Sequence, residues 1–533
     1  MRIVNTAEMK EIEELTFSKF GMTESLIIEN VGSDGADYLF SNFLKDRDFG
    51  EIVLLVGRGN NGADGLAIGR HLIKHGISVR AFMLFSEADC SDELKFQLQL
   101  ARNYGIKVND IKDPDELLSY FHNNQDEYFV IDAIFGTGVR LPLSAFVLDV
   151  IKLANEYADE MVSIDIPSGI MGDTGFYEGG AIKATTTLAI AAAKIGHLID
   201  QGPQRIGKLH ILDAGFPPEL LMAGNKKLID YKKAGILKKK RSRFAHKNTF
   251  GHCLVVGGSP GLTGALALAS KAALKVGVGL VTAITWERSY QEMCSRVIPE
   301  IMMGKIPIDD EKAEALLLQL ENFSSVVIGP GLGWSEYSRR AVVEVMKCFD
   351  GPVVLDADAI NVLSLEKDRE LLQKRADLTV LTPHLGEFAR FIGVDVKKIL
   401  EDPITHLKDV VDKTGVTILL KGPSSFVALP TGDIYVNYLP NEGLATGGSG
   451  DVLAGVLGGM LAQKATEIDR QIISPSARDE KEVYYQGICL GLVLHSMAGD
   501  IAGKKLGRRV MTAGDVIENF SDAFKKLDEV KIG

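Results

Sequence analysis

The run EIVLLVG at 51–57 constrains this chain most. Its apolar residues are continuous instead of alternating with polar ones, so the strand they form must be covered on both faces, and it ends on a glycine turn. The same signature recurs in EYFVIDAIFGTG at 127–138, MVSIDIPSG at 161–169 and LHILDAG at 209–215. ISVRAFML reads as a further strand, and 7–20 and 23–45 read as two leading helices. Buried strands alternating with helical stretches dictate right-handed βαβ units and a mostly parallel sheet. A second series opens at GHCLVVGGS (251–259) and continues through GLVTAIT, SSVVIGPG, PVVLDAD, LTVLTP and VTILLKG. A hairpin, SSFVALPTGDIYVNY, follows. Helices are predicted at 450–462 and 486–503, with 464–485 as a charged, exposed insertion between them.

A chain of 533 residues is too long for one ordinary core, so an α/β protein of two domains is expected. The composition shift at 219–240 marks a linker between a domain at 1–218 and another at 241–533. The net charge of -12 argues against a general nucleic-acid binder, and the basic KKKRSR cluster reads as solvated linker. Five cysteines without a CxxC pair argue against a disulfide framework or a zinc site, and are expected as reduced core thiols. The opening MRIVNTAEMKEIEELTF lacks the three-part pattern of a secretion signal, and no apolar run is long enough to span a membrane. A cytoplasmic protein without membrane or nucleic-acid partners is expected.

The chemistry concentrates at strand ends. In NEGLATGGSGDVLAG the small residues Gly447, Gly448, Ser449 and Gly450 lead into a helix, so backbone N–H groups and the helix dipole converge on one spot. Such a nest holds a phosphate or a developing oxyanion. Asp451 would repel a bound anion, but as a base it could take a proton from a hydroxyl attacking the phosphoryl group held there. GPGLG at 329–333, DADAIN at 356–361, TPHLGEF at 382–388 and KGPSS at 421–425 end four other strands. Ligands of open α/β sheets sit outside such carboxyl ends. Taken singly, Asp356 is a helix cap and His384 a core histidine; together they outline a site.

In the first half Asn60, Asn61 and Asp64 occupy a strand-to-helix turn, Asp132 ends a second strand, and Asp165 and Ser168 end a third. Carboxylate, amide and hydroxyl oxygens without His or Cys suit a hard or weakly charged cation. The backbone of GTGVRLP can take a phosphate. His71 and His75 share a helix face, but the HExxH glutamate and a third ligand are missing, so the helix pattern alone accounts for them.

From about residue 240 to 530 the chain resembles the ADP/ATP-dependent NAD(P)H-hydrate dehydratases of the ribokinase-like superfamily, through GGSPGLTGA, GPGLG, DADAIN, TPHLGE and NEGLATGGSGDVLAG in that order. The resemblance implies a ribokinase-like three-layer α/β/α domain that removes water from NAD(P)HX, the dinucleotide hydrated at C6. It implies ADP as phosphoryl donor, leaving AMP and phosphate, with Mg2+ bridging the phosphates and Glu387 as an outer-shell carboxylate. Asp451 would be the base on the C6 hydroxyl. Ala265, Gly333 and His384 would contact NAD(P)HX. Lys421, Gly422, Pro423, Ser424 and Ser425, with Asn441, Gly447, Gly448, Ser449 and Gly450, would hold the nucleotide.

Residues 1–218 resemble the NAD(P)H-hydrate epimerase domain, a Rossmann-like three-layer sandwich, through NNGAD, DAIFGTG, DIPSG and AAKIGH. The resemblance implies interconversion of R- and S-NAD(P)HX, with K+ on Asn61, Asp132 and Ser168. Substrate would lie against Asn60, Asn61, Gly62, Ala63 and Asp64 and against Gly136, Thr137, Gly138, Val139, Arg140, Leu141 and Pro142. Asp165 is the expected acid/base group, with Lys194 second. Ala63 stands where NNGGD is usual, and a positive φ there would strain an alanine. Hydration yields both epimers and the dehydratase accepts one, so the fusion has a chemical reason. A homo-oligomer is expected. Two rival readings are a non-catalytic nucleotide-binding N-terminal module and a C-terminal kinase for a small alcohol.

Overall fold

Val53 and Leu55 pack into one apolar core and Ile52, Leu54 and Val56 into another, so the strand Glu51–Val56 is buried on both sides. That strand lies inside an all-parallel, seven-stranded sheet. The order is Lys107–Asp110, Ser78–Met83, Glu51–Val56, Phe129–Ala133, Glu160–Ile164, Thr186–Ile190, Lys208–Leu212. Helices Thr6–Phe20, Glu24–Leu39, Asn60–Lys74 and Asp92–Asn103 cover one face through Ile12, Val31, Leu66 and Leu98. Pro114–Asn123 and Ala145–Tyr157 cover the other through Leu117 and Val150. This is the expected three-layer, Rossmann-like arrangement. Its strand order reverses between Glu51–Val56 and Phe129–Ala133, the switch point where such sheets bind ligands.

The computed structural model describes residues 1–47, 49–123, 127–234, 241–307, 320–469 and 477–529. It divides into two compact units, Met1–Lys227 and Leu228–Gly533, a boundary inside the 219–240 stretch. Residues 238–240 of the basic cluster lie outside the described residues.

The second unit contributes nine strands to one sheet. Their order is Ile434–Tyr438, Ser424–Ala428, Thr417–Leu420, Thr379–Leu381, Val353–Leu355, Ser325–Ile328, His252–Gly257, Leu280–Trp286, Met302–Ile306. The strands from Thr417–Leu420 to Met302–Ile306 are parallel, and the predicted hairpin adds two antiparallel ones. Cys253 and Val255 meet helices Thr263–Lys275, Ser449–Asp469 and Ala477–Leu506 in one core. Gly455 is required there, because a Cβ would lie 2.0 Å from the Ala269 carbonyl oxygen.

Two expectations change. Helices Ser449–Asp469 and Ala477–Leu506 both run into the stretch read as an exposed insertion, leaving 470–476 outside the described residues. Lys464, Val483 and Tyr485 are buried. The stem of Lys464 packs under Gly487 while its Nζ meets Glu467 at 3.1 Å, so its charge conceals an apolar contact. Of the five cysteines, Cys294 and Cys348 are exposed rather than core thiols, and all five are free. Among the described residues no helix is long and apolar enough to cross a membrane.

Candidate active sites

In the second unit five strand ends converge. Asp356, 1% exposed, follows Val353–Leu355; its Oδ1 accepts from Thr382 Oγ1 at 2.7 Å and from Lys421 Nζ at 2.8 Å. Lys421 follows Thr417–Leu420 and also lies 4.0 Å from Glu387 Oε2. Burial alone would lower the Lys421 pKa, but Asp356 and Glu387 together carry it above the ordinary lysine value. The ammonium therefore stays charged.

Asp451 stands in the first turn of Ser449–Asp469, beyond the glycine run. Burial, then the Asp356 charge, pushes its carboxyl up to about 7, with Lys421 pulling the other way. A carboxyl poised near neutrality suits a general base. Gly448 has φ +92, a left-handed turn that glycine takes without strain. A Cβ on Gly450 would lie 3.2 Å from Lys421 Nζ, so the Asp451 turn and the lysine face one space. The first N–H groups of a helix lack intrahelical acceptors and are free for a phosphate. His495, buried and held neutral by a pKa of about 4 through burial, contacts the Ser449 carbonyl oxygen at 3.2 Å and steadies that turn from behind.

The remaining candidate residues lie in the turns after neighbouring strands. Gly333 donates its N–H to Asp358 Oδ2 at 2.8 Å. Between Asp356 and Asp358, Ala357 holds φ +46, a left-handed backbone rare for alanine and a mark of a functional turn. His384 caps Leu385–Ile392: its Nδ1 accepts from Gly386 N–H at 3.0 Å, while Glu387 Oε2 accepts the His384 N–H at 2.8 Å. His384 is thus an exposed cap at the pocket edge, not a core histidine. Ala265 lies beside Gly331, whose Cβ would be 3.2 Å from Ala265 Cβ. Ser425 Oγ bonds Gly422 O at 3.3 Å. Ser424 Oγ and Asn441 Nδ2 are buried without a protein partner among the described residues, two polar atoms suited to a ligand.

In the first unit Asp165 holds φ +65. Its carboxylate takes Lys194 Nζ and, at 3.2 Å, the Ile190 N–H. Lys194 also donates to Ile190 O at 2.8 Å. His197 orders the pair. Burial, then the Lys194 charge, lowers its pKa to about 3, so the ring is neutral. Its Nε2–H donates to Asp165 O at 2.9 Å and its Nδ1 accepts the Lys194 N–H at 3.1 Å. Burial, then the Asp165 charge, raises the carboxyls of Asp64 and Glu13.

Gly136 brings the loops together: a Cβ there would lie 3.4 Å from Asp165 Oδ2 and 3.6 Å from Asn61 Cγ. Both polar atoms of the Asn61 amide are buried without a protein partner among the described residues. Ser168 Oγ donates to Asp132 Oδ1 at 2.5 Å. Asp132 also accepts from Ser163 Oγ, Ser168 N–H and Ile134 N–H at 2.7, 2.9 and 3.2 Å. Asn60 is tied to Glu24 and Ser91, and Val139 packs into the apolar core, so neither side chain turns freely to the pocket. A cis Leu141–Pro142 bond closes that loop. Ala63 is free of strain: it lies inside Asn60–Lys74, is fully buried and is not among the positive-φ residues. His71 and His75 contact different carboxylates, Glu29 at 3.1 Å and Asp37 at 3.0 Å.

A family model described as NAD(P)H-hydrate dehydratase matches residues 253–521, and one described as YjeF-related protein N-terminus matches 24–196. The bifunctional NAD(P)H-hydrate repair enzyme of Moorella thermoacetica is 33% identical over 99% of this chain and 98% of its own length. That of Escherichia coli is 31% identical over 87% and 83%. The ADP/ATP-dependent NAD(P)H-hydrate dehydratase of Bacillus subtilis, co-crystallised with ATP and Mg2+, is 25% identical and covers 57% of this chain and 100% of its own, with a TM-score of 0.47. Since the repair enzymes match nearly its full length, the chain belongs to the family of bifunctional NAD(P)H-hydrate repair enzymes.

Proposed function

We propose that the chain repairs hydrated nicotinamide dinucleotides: Met1–Lys227 interconverts R- and S-NAD(P)HX, and Leu228–Gly533 dehydrates the S form at the expense of ADP. The observation that carries the reading is Asp451, a carboxyl with a pKa of about 7, in the turn that faces Lys421 and presents free helix N–H groups.

The base takes the proton of the C6 hydroxyl, and that oxygen attacks the terminal phosphorus of ADP while AMP leaves. The ring nitrogen then expels phosphate from C6, and loss of a proton at C5 restores the C5–C6 double bond. Phosphorylation replaces hydroxide with a better leaving group, so a kinase-like site performs a dehydration. The nest at 447–450 and the Lys421 ammonium hold the phosphoryl oxygens. Among the described residues no cluster of three carboxylate, imidazole or thiolate groups would hold a metal by itself; Mg2+ would be held mainly by the phosphates, whose charge it would neutralise, with Glu387 as an outer-shell carboxylate.

In the first unit Asp165 takes the proton of the C6 hydroxyl; the C6–N1 bond breaks to leave an aldehyde while N1 takes up a proton, and N1 then re-adds to the other face of the carbonyl as the protons return. Lys194 and His197 fix the orientation of Asp165. Asn61 supplies a buried amide oxygen without a protein partner among the described residues, a donor that would suit K+, with Asp132 and Ser168 completing the set that the resemblance implies.

The test is product analysis with mixed R/S-NADHX, Mg2+, K+ and either ADP or ATP. Recovery of NADH with stoichiometric release of phosphate supports the reading. A stable phosphorylated alcohol and no NADH would return the C-terminal unit to the small-alcohol kinases.

A further inference from the structure

A row of contacts leads outward from Lys421. Glu387 Oε2 lies 4.0 Å from its Nζ, and Glu387 in turn contacts His384. A Cβ on Gly386 would lie 3.0 Å from His384 Cε1 and 3.8 Å from an Arg390 guanidinium nitrogen, so Arg390 is the next group along. Its guanidinium sits 5.7 Å from the centroid of the Trp334 ring. Side-chain exposure is low at the inner end, 19% for Lys421 and 7% for Glu387, and reaches 56% at His384. Trp334, 63% exposed, is at the outer end, directly after Gly333.

The exposed indole offers a flat apolar face beside a guanidinium, the kind of surface on which a base stacks. Its setting is fixed rather than loose. Gly333 is tied to Asp358, Trp286 donates to Leu332 O at 3.0 Å, and Arg390 donates to Asn361 Oδ1 at 2.9 Å. One bond to Asn361 leaves the guanidinium further N–H donors, since it has five in a planar fork. Leu262, 48% exposed, adds apolar surface beside the same loop, where it approaches Gly331.

Resting on the function proposed above, we infer that Trp334 and Arg390 form the subsite for the adenosine half of NAD(P)HX: the adenine stacks on the indole, and Arg390 takes the ribose phosphate when the substrate is NADPHX. The substrate is long, and its reacting C6 must lie at the inner end, near Asp451. Its other end therefore lies toward the rim, where the structure offers a flat aromatic surface and a fork suited to phosphate. Arg390 then favours NADPHX over NADHX.

The test compares wild type, Trp334→Ala, Arg390→Ala and Arg390→Lys on NADHX, NADPHX and hydrated nicotinamide mononucleotide, which lacks adenosine. Wild-type turnover is measured first; its absence would reject the proposed function and leave the subsite without a reaction. With wild type active, Trp334→Ala should raise KM for both dinucleotides about tenfold, within the range of base–aromatic stacking, with kcat nearly unchanged. It should leave the mononucleotide unaffected. Arg390→Ala should raise KM for NADPHX several-fold more than for NADHX, with partial rescue by Arg390→Lys. In the absence of ADP, NADPHX should quench the fluorescence of wild type but not of Trp334→Phe. Equal losses on the truncated substrate, or unchanged KM for the dinucleotides, would overturn the assignment.

Discussion

Lys421 Nζ meets Asp356 Oδ1 at 2.8 Å beside the Asp451 turn, and Asp356 is 1% exposed. The pair does two things. It keeps an ammonium charged beside the phosphate nest, and its carboxylate raises the pKa of Asp451. Lys421→Met leaves Asp356 and Glu387 without that cation in a buried space. Removing one partner of such a pair costs about 3–5 kcal/mol, which chemical denaturation will read. In the variant that remains folded, the Asp451 pKa should move further up, shifting the pH–rate profile of dehydration to the alkaline side.

Asp451 links catalysis to pH. In the free enzyme the base must be ionised, so kcat/KM for dehydration should fall on the acid side of about pH 7. Stability runs the other way. The folded protein binds this proton more tightly than the unfolded chain, so the contribution to stability is lost as pH rises from the ordinary carboxylate range to about 7. Asp451→Asn cannot ionise. At about pH 8 it should be more stable than wild type by on the order of 4 kcal/mol, and near pH 3 the two should be equal.

Two glycines of the same helix should respond in opposite ways. A Cβ on Gly450 meets only the movable end of Lys421, whereas one on Gly455 meets the backbone of Ala269 at 2.0 Å. Gly450→Ala should stay within about 0.5 kcal/mol of wild-type stability but weaken ADP, seen as a raised nucleotide KM. Gly455→Ala should be destabilised by about 3 kcal/mol or more, seen in its melting temperature.

The orphaned amide of Asn61 predicts a cation effect that needs no turnover. K+ should raise the melting temperature of the wild-type epimerase transition relative to the larger tetramethylammonium ion. Asn61→Leu should abolish that difference. An unchanged K+ effect in the variant would remove Asn61 from the ligand set.

The sequence carried the central strands because they are continuous apolar runs closed by glycine, as at 51–57 and 251–259. Thr186–Ile190 was not legible: TTLAI runs into alanines with no turn residue to bound it. Met302–Ile306, an edge strand with Gly304 inside, has no apolar run to announce it. Site residues at strand ends were visible through their local motifs. His197, Thr382 and His495 act through partners 32, 26 and 46 positions away, and no local spacing encodes such pairs. The helices across 464–485 were hidden because charged side chains such as Lys464 can bury their stems. Whether Ala63 is strained depended on a backbone angle, and the helix settles it.

The central claim is that one chain holds two separable sites acting in sequence on the same substrate. The most direct measurement starts from purified R-NADHX with ADP, Mg2+ and K+, and follows NADH by its absorbance. Wild type should recover NADH faster than spontaneous epimerisation allows. Asp165→Asn and Asp451→Asn should each fail, with losses of about 10²–10⁴-fold, and an equimolar mixture of the two should restore recovery. Folded variants whose mixture stays inactive, or an Asp451→Asn enzyme that still yields NADH at the wild-type rate, would contradict the account.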